Sequence, residues 1–127
     1  MDIAIALTPD PIQPPIHSPG RETGAVLEFQ GLVRGSEGEV AISALQYEVY
    51  EPMAGKVLRE ILEKLGATHP CQAVTVIHRY GLVPVGEPAI FVRVESAHRG
   101  EGLALLEEFM KQLKTAVPIW KVASVKC

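Results

Sequence analysis

The sequence predicts an α+β fold in which two helices pack on a largely antiparallel sheet. Two segments, 52–70 and 100–117, carry apolar residues at helical spacing. Short β-rich runs surround them, so that the elements follow the order ββ(β)αββαβ. The 127 residues suit a single domain, 1–127, and 47% hydrophobic with 21% charged residues is an ordinary globular balance.

The first third of the chain is predicted to be strands and loops. Residues 3–7 form a short strand, and a proline-rich loop, 8–23, follows because proline lacks an amide donor. Residues 25–35 are β-rich and end in glycines, and "SEGE" after them predicts a turn or a flexible loop. Residues 41–51 alternate apolar and polar side chains, which is typical of a half-buried strand.

The first helix is predicted over 52–70, with Pro52 in its first turn and Gly66 as its C-cap. A strand at 73–81 and a turn in "LVPVGE", 82–87, come next.

A further strand is predicted at 88–99 and a second helix at 100–117, followed by an extended segment at 119–125. Pro118 is expected to end this helix. The apolar stripe of the second helix is predicted to comprise Leu106, Met110, Leu113 and Val117.

Composition narrows the classes of function. A net charge of −3 and a pI of about 5.8 argue against nucleic acid as the main partner, although one small basic pocket remains compatible with them. No apolar run has the roughly 20 residues that span a bilayer, and the first residues do not resemble a signal peptide. Cys71 and Cys127 form no CxxC motif, and no metal-ligand cluster is visible. We therefore expect a cytoplasmic protein without metal, cofactor or membrane partner.

The stretch "LKTAVPIWK" places Lys114 and Lys121 around the chain's only tryptophan. Surface exposure is the more common fate of lysine. However, Lys114 is predicted at the edge of an apolar stripe, and Trp120 favours a partly buried Lys121 ammonium. Lys111 has Glu107 as an i,i+4 partner, which accounts for it as a surface charge.

Two further basic sites stand at ends of predicted strands. "SAHRGEG" places His98 and Arg99 at a helix entrance, where free backbone amides favour an anion; a solvent-exposed pair is an equally good interpretation. Arg34 follows a strand in "GLVRGSEGE", which alone is a weak signal. His78 and Arg79 lie in an alternating strand, which favours a structural or surface role.

Several segments together resemble the large, catalytic subunit of molybdopterin synthase: "FQGLVRG", "LQYEVYEPMA", "VIHRYG…VGE", "VESAHR" and "LKTAVPIWK". They occur in that family's order between about residues 24 and 121. The resemblance implies an α/β-hammerhead fold and a homodimer within a heterotetramer. It also implies a small ubiquitin-like carrier, whose C-terminal Gly-Gly thiocarboxylate supplies sulfur to cyclic pyranopterin monophosphate to form molybdopterin.

The resemblance also implies the site residues. The family's two pocket lysines fall on Lys114 and Lys121, which we assign to the transfer chemistry. Its histidine–arginine pair falls on His98 and Arg99, which would bind the substrate phosphate. Its loop arginine falls on Arg34, which would complete the neighbouring protomer's site. Together the five would form one basic cluster on an acidic protein.

Two features depart from the family pattern. Ala123 stands where the family usually has an acidic residue, with a further tail beyond, and the segment before Gly24 is proline-rich where a short helix is usual. The alternative hypothesis is therefore a catalytically weak carrier-binding or regulatory homologue. A small anion-binding enzyme unrelated to sulfur transfer is the third possibility.

Overall fold

A computed structural model describes residues 1–127 and contains two helices and eight strands. The strands are β1 (Asp2–Thr8), β2 (Ala25–Leu32), β3 (Ser36–Glu37), β4 (Val40–Val49), β5 (Ala73–Arg79), β6 (Gly81–Pro84), β7 (Pro88–Ser96) and β8 (Ile119–Lys126). The helices are α1 (Met53–Thr68) and α2 (Arg99–Ala116). The predicted α+β class with two helices and mostly antiparallel pairing is confirmed.

Four strands form the first sheet, in the order β1-β5-β7-β2. Only β1 and β5 are parallel; the other neighbours are antiparallel. Both helices cover one face of this sheet, because α1 and α2 each present an apolar stripe to the alternate residues of the strands. The resulting core contains 13 buried residues, among them Leu58, Val92 and Phe109.

The proline-rich segment covers the opposite face of the first sheet. No helix or strand lies between Thr8 and Ala25, as predicted, yet this loop is tied down. Ile12 is buried, and the buried Arg93 donates from Nη1 to the carbonyl of Pro15 at 2.8 Å. Arg93 also forms an ion pair of 2.6 Å with Glu28 on β2. Both faces of the first sheet are therefore protected from solvent near its centre.

The second sheet is built on β4, which pairs with β3, β6 and β8. Its core has only five buried residues: Val33, Ile42, Leu45, Val83 and Ala89. Most of β8 is exposed, including Val122 and Val125. This sheet has a small apolar core and leaves apolar side chains in contact with water.

Three local predictions were wrong. The "LVPVGE" segment begins with a strand, β6, because its backbone pairs with β4, and the turn is confined to its end. Gly66 does not cap α1, which continues to Thr68; its Cα instead packs against Met1, whose Cε would lie 2.8 Å from an added Cβ. The buried stripe of α2 runs through Gly102, Leu105 and Phe109. Of the predicted set, Leu106, Met110 and Leu113 lie on its half-buried flank, and only Val117, just beyond the helix, is buried in the core.

Neither helix is both long enough and apolar enough to cross a membrane.

Candidate active site

Lys114 lies in the last turn of α2 and is exposed. The helix ends at Ala116, because Val117 precedes Pro118 and adopts an extended conformation, as the residue before a proline prefers. No carboxylate lies within ion-pair distance of the Lys114 ammonium, whereas Lys111 Nζ lies 3.6 Å from Glu107. The i,i+4 pair predicted for Lys111 is thus confirmed, and Lys114 keeps its charge available to a ligand.

Lys121 lies on β8, directly opposite Tyr47 of β4. Its Nζ is 3.2 and 3.4 Å from the two carboxylate oxygens of Glu37 on β3. The Lys121 side chain is 46% exposed, and the neighbouring Trp120 is 52% exposed. The Lys121 side chain is therefore partly covered, but β8 forms an open surface there and the neighbouring Trp120 remains exposed in the single chain.

Tyr47 lies between the exposed Lys121, its cross-strand neighbour, and the buried His78. Burial raises the pKa of its hydroxyl, an effect that the Lys121 charge opposes and the Glu37 charge reinforces. The hydroxyl is therefore neutral at physiological pH and can donate a hydrogen bond. The ring packs edge-on against His78, with 5.6 Å between centroids.

His78 and Arg79 are both buried and have partners within the fold. His78 Nδ1 lies 2.8 Å from the Arg79 carbonyl oxygen, and burial lowers the pKa of the imidazole. Arg79 Nη1 donates to Glu87 at 2.7 Å. These contacts support the structural interpretation of the pair.

Arg34 lies in the exposed turn between β2 and β3. It precedes Glu37 by three residues, so their Cα atoms are at most about 11 Å apart. Because Glu37 contacts Lys121, the backbone at Arg34 lies near Lys121.

His98 and Arg99 stand at the start of α2, where His98 is the N-cap residue, and both are exposed. Ser96 Oγ donates to the His98 carbonyl at 2.6 Å and fixes the backbone at this turn. Gly102 lies so close to Leu27 and Ser96 that an added Cβ would clash. No side chain caps the first turn of α2, so its backbone amides are open to an anion.

The structure separates the predicted site residues into two groups. Arg99 and Lys114 are 15 residues apart on one helix, which at 1.5 Å per residue places their Cα atoms about 22 Å apart. Arg34 and Lys121 belong to one group and His98 and Arg99 to the other, while Lys114 stands at the end of α2 that is remote from Arg99. The five residues thus do not form one cluster within one chain.

The surface clefts of the chain lie away from both lysines. The three clefts border on Glu51 and Lys56 of the α1 entrance, on the proline-rich segment near Gln72, and on the outer face of the first sheet. No group of three or more histidine, cysteine, aspartate or glutamate side chains is arranged to hold a metal ion. Neither Lys114 nor Lys121 lines one of these three clefts.

Sequence reasoning missed Glu37 and Tyr47. Glu37 belongs to the "SEGE" turn, and 84 residues separate it from Lys121, so no local pattern connects them. Tyr47 fits an ordinary alternating strand, and only the β4–β8 register places it opposite Lys121.

Comparison with protein families finds a match to the model described as MoaE protein, over residues 7–116. The chain is 42% identical over 99 residues to the molybdopterin synthase catalytic subunit of Homo sapiens, which covers 77% of this chain and 52% of that protein. It is also 42% identical over 98 residues to the subunit of the same name from Pasteurella multocida, covering 77% and 65%. The chain thus spans about half the length of the plant and animal relatives that it matches.

Solved structures have the same fold. Molybdopterin synthase from Staphylococcus aureus superimposes with a TM-score of 0.83 at 30% identity, covering 99% of this chain and 90% of that one. A molybdopterin biosynthesis MoaE protein from Burkholderia ambifaria gives a TM-score of 0.78 at 25% identity, with coverage of 99% and 90%. A complex of subunits 1 and 2 of the molybdopterin-converting factor from Helicobacter pylori, at 20% identity and a TM-score of 0.72, shares the fold.

Proposed function

The chain belongs to the MoaE protein family, and on that premise we propose that it transfers sulfur to cyclic pyranopterin monophosphate and so forms molybdopterin. The donor is the C-terminal thiocarboxylate of a small ubiquitin-like carrier. The observation that carries the proposal is the family match over 7–116, which includes Arg34, His98, Arg99 and Lys114. The structural match to the Staphylococcus aureus enzyme covers 99% of the chain and so extends the likeness to the region of Lys121.

The chemistry requires cations beside an acyl group. The carrier's sulfur forms a bond to a carbon of the pterin precursor while a carbon–oxygen bond at that carbon breaks and its oxygen leaves with a proton. Water then cleaves the acyl–sulfur bond, which leaves a carboxylate on the carrier and a thiol on the pterin. An oxyanion develops at the carrier's carbonyl during that cleavage. The unpaired ammonium of Lys114 stabilises it, and Lys121 holds the pterin or balances charge on it.

The substrate phosphate fits the start of α2. Arg99 offers a planar guanidinium with several donors, and His98 and the open first-turn amides add further donors. Because one helix holds Arg99 and Lys114 about 22 Å apart, one substrate does not contact both within one chain.

We therefore propose that the site is completed across a homodimer, with His98 and Arg99 of one protomer facing the lysines of the other. The backbone at Arg34 lies near Glu37, the ion-pair partner of Lys121, which favours Arg34 as a same-chain contributor instead of the residue that crosses between protomers. The exposed apolar residues of the second sheet, such as Val122 and Val125, provide surface for a protein partner. The carrier then completes a heterotetramer.

Reconstitution tests the activity. The purified chain is incubated with a thiocarboxylated carrier and cyclic pyranopterin monophosphate, and molybdopterin is measured. Matched reactions contain a carrier with an ordinary C-terminal carboxylate or a carrier without its two terminal glycines. We expect product only with the intact thiocarboxylate. Carrier binding without product would instead support the binding or regulatory alternative, and neither binding nor product would contradict both.

Mixing two inactive variants tests the shared site. Arg99→Ala and Lys114→Ala protomers are combined under conditions that allow subunits to exchange. If the two groups meet across the dimer, half of the dimers are mixed and one of their two sites is intact, so about a quarter of the parent activity returns. A site built within one chain would give no recovery, because every protomer carries a defect.

A further inference from the structure

Of the two proposed site lysines, Lys114 and Lys121, only Lys121 forms an ion pair, and its partner is Glu37. Both carboxylate oxygens of Glu37 lie within 3.4 Å of the Lys121 ammonium. Each side chain is a little under half exposed, at 46% and 43%. Exposed ion pairs of this kind contribute little to folding stability, so we consider a role for this contact in the proposed site.

The backbone around Glu37 is held in a tight hairpin. Ser36 and Glu37 pair with Ala41 and Val40, and Gly38 supplies the positive φ of 61° that the turn needs. Strand β8 pairs with the same strand, β4. Glu37 and Lys121 are therefore fixed relative to each other through β4, although 84 residues separate them.

Tyr47 is the third member of this group. It is the cross-strand partner of Lys121, and the charges of both Lys121 and Glu37 act on its hydroxyl. Its ring is held from behind by the buried His78. Tyr47 thus provides a rigid polar wall beside the lysine.

A lysine ammonium has three donors on a flexible four-carbon stem. Glu37 occupies one side of the ammonium and leaves the remaining donors for an incoming ligand. A carboxylate and a phenol that restrict the stem would hold these donors in one direction before substrate arrives. Preorganised charges cost no reorganisation during the reaction.

We propose that Glu37 and Tyr47 are positioning residues for Lys121, holding its ammonium in the orientation that the reaction uses. This inference rests on the proposed sulfur transfer, in which Lys121 touches the substrate. Glu37 and Tyr47 themselves act through Lys121 and contact no reacting atom.

Single-turnover sulfur transfer tests the inference with Glu37→Gln, which keeps the shape and removes the charge. Glu39→Gln is the matched control, since Glu39 is exposed, lies in the same hairpin and has no ion-pair partner. We expect the maximal rate of Glu37→Gln to fall about tenfold, with the KM for the pterin substrate changed less than about twofold. Tyr47→Phe, which keeps the ring against His78, is expected to lower the rate by a smaller factor in the same way, and Glu37→Asp to recover part of the loss. Glu39→Gln is expected to match the parent.

A second measurement does not depend on activity. Side-chain NMR relaxation of the Lys121 εCH₂ group reports its mobility in the parent and in the same variants. We expect greater mobility in Glu37→Gln and no change in Glu39→Gln. Equal rates and equal mobility in Glu37→Gln and Glu39→Gln would overturn the inference.

A lower KM with an unchanged maximal rate in Glu37→Gln would also overturn it, because Glu37 would then be competing with the substrate. If the parent forms no product at all, the proposed function fails, while the mobility of Lys121 still decides whether Glu37 orients it.

Discussion

The two sheets of the molecule differ in how completely they are covered. The first sheet has α1 and α2 on one face and the proline-rich segment on the other, and its core contains 13 buried residues. The second sheet has a core of five and exposes most of β8. Its exposed part nevertheless carries Lys121, Glu37 and the neighbouring Arg34.

This difference separates the part of the chain that stabilises the fold from the part that carries several of the proposed site residues. Apolar burial drives folding, so the first sheet with its helices supplies most of the stability. The second sheet keeps apolar and charged groups available to partners, at the expense of its own packing. His98, Arg99 and Lys114 are the exceptions, because they stand at the two ends of α2, which packs on the first sheet. The following predictions test this division, beginning with the largest effect.

Phe109→Ala should cause the largest loss of stability. Phe109 is fully buried in the core between α2 and the first sheet, and removing such a ring typically costs about 3–5 kcal/mol of unfolding free energy. Leu103→Ala on the same helix is the control, since Leu103 is 50% exposed, and it should change stability by less than about 0.5 kcal/mol. Urea titration followed by circular dichroism measures both. Similar losses in the two variants would contradict the packing assigned to α2.

Lys114→Ala and Lys121→Ala should affect activity and leave folding intact. Both side chains are exposed, so their removal leaves no cavity, whereas loss of a charge used in the transition state should lower the rate about 10²-fold or more. Lys111→Ala should behave like the parent, because its pair with Glu107 lies on the surface. Single-turnover product formation measures the rates, and circular dichroism verifies folding. If Lys111→Ala and Lys114→Ala had equal rates, the assignment of Lys114 would lose its basis.

Matched valine substitutions compare the two sheets directly. Val92 and Val83 are both fully buried, but Val92 lies in the large core and Val83 in the small one. Each replacement by alanine loses the same methyl groups, at about 0.8 kcal/mol each, and the added cavity term depends on how well the site collapses. We expect Val92→Ala to lose about 2–3 kcal/mol and Val83→Ala about 1–2 kcal/mol. Chemical denaturation of both variants measures this; a larger loss for Val83→Ala would reverse the comparison.

The smallest effect should come from acid titration at the junction of the sheets. Burial lowers the pKa of His78, so the folded chain keeps this imidazole neutral at a pH where the unfolded chain already protonates it. Stability should therefore decline as pH falls below about 6.5, since the unfolded state then binds more protons. His78→Asn, which retains a donor for the Arg79 carbonyl, should show a smaller decline between pH 7.5 and 5.5.

His69→Asn controls for the loss of a histidine elsewhere and should keep the decline of the parent. Urea midpoints at several pH values provide the measurement. An unchanged pH dependence in His78→Asn would show that His78 does not contribute to it.

The fold followed from the sequence wherever the pattern was long and periodic. The helical spacing at 52–70 and 100–117 predicted α1 and α2 to within two residues at each end. It misplaced the buried side of α2 because Leu106 and Met110 match the same period as Leu105 and Phe109, and only the sheet beneath decides which row faces inward. The short strand β6 was missed because four residues containing a proline give no periodic signal.

By itself, the sequence determined the α+β class, the positions of both helices, the loop at 8–23 and the set of basic residues that resemble the MoaE family. These depend on local periodicity, on proline chemistry and on motifs within a few residues, which a linear pattern records. Only the tertiary structure decided that Lys121 meets Glu37, that Tyr47 lies opposite it, and that α2 holds Arg99 far from Lys114. Such relations arise from strand register and from the rigid length of a helix, which join or separate residues regardless of their distance along the chain.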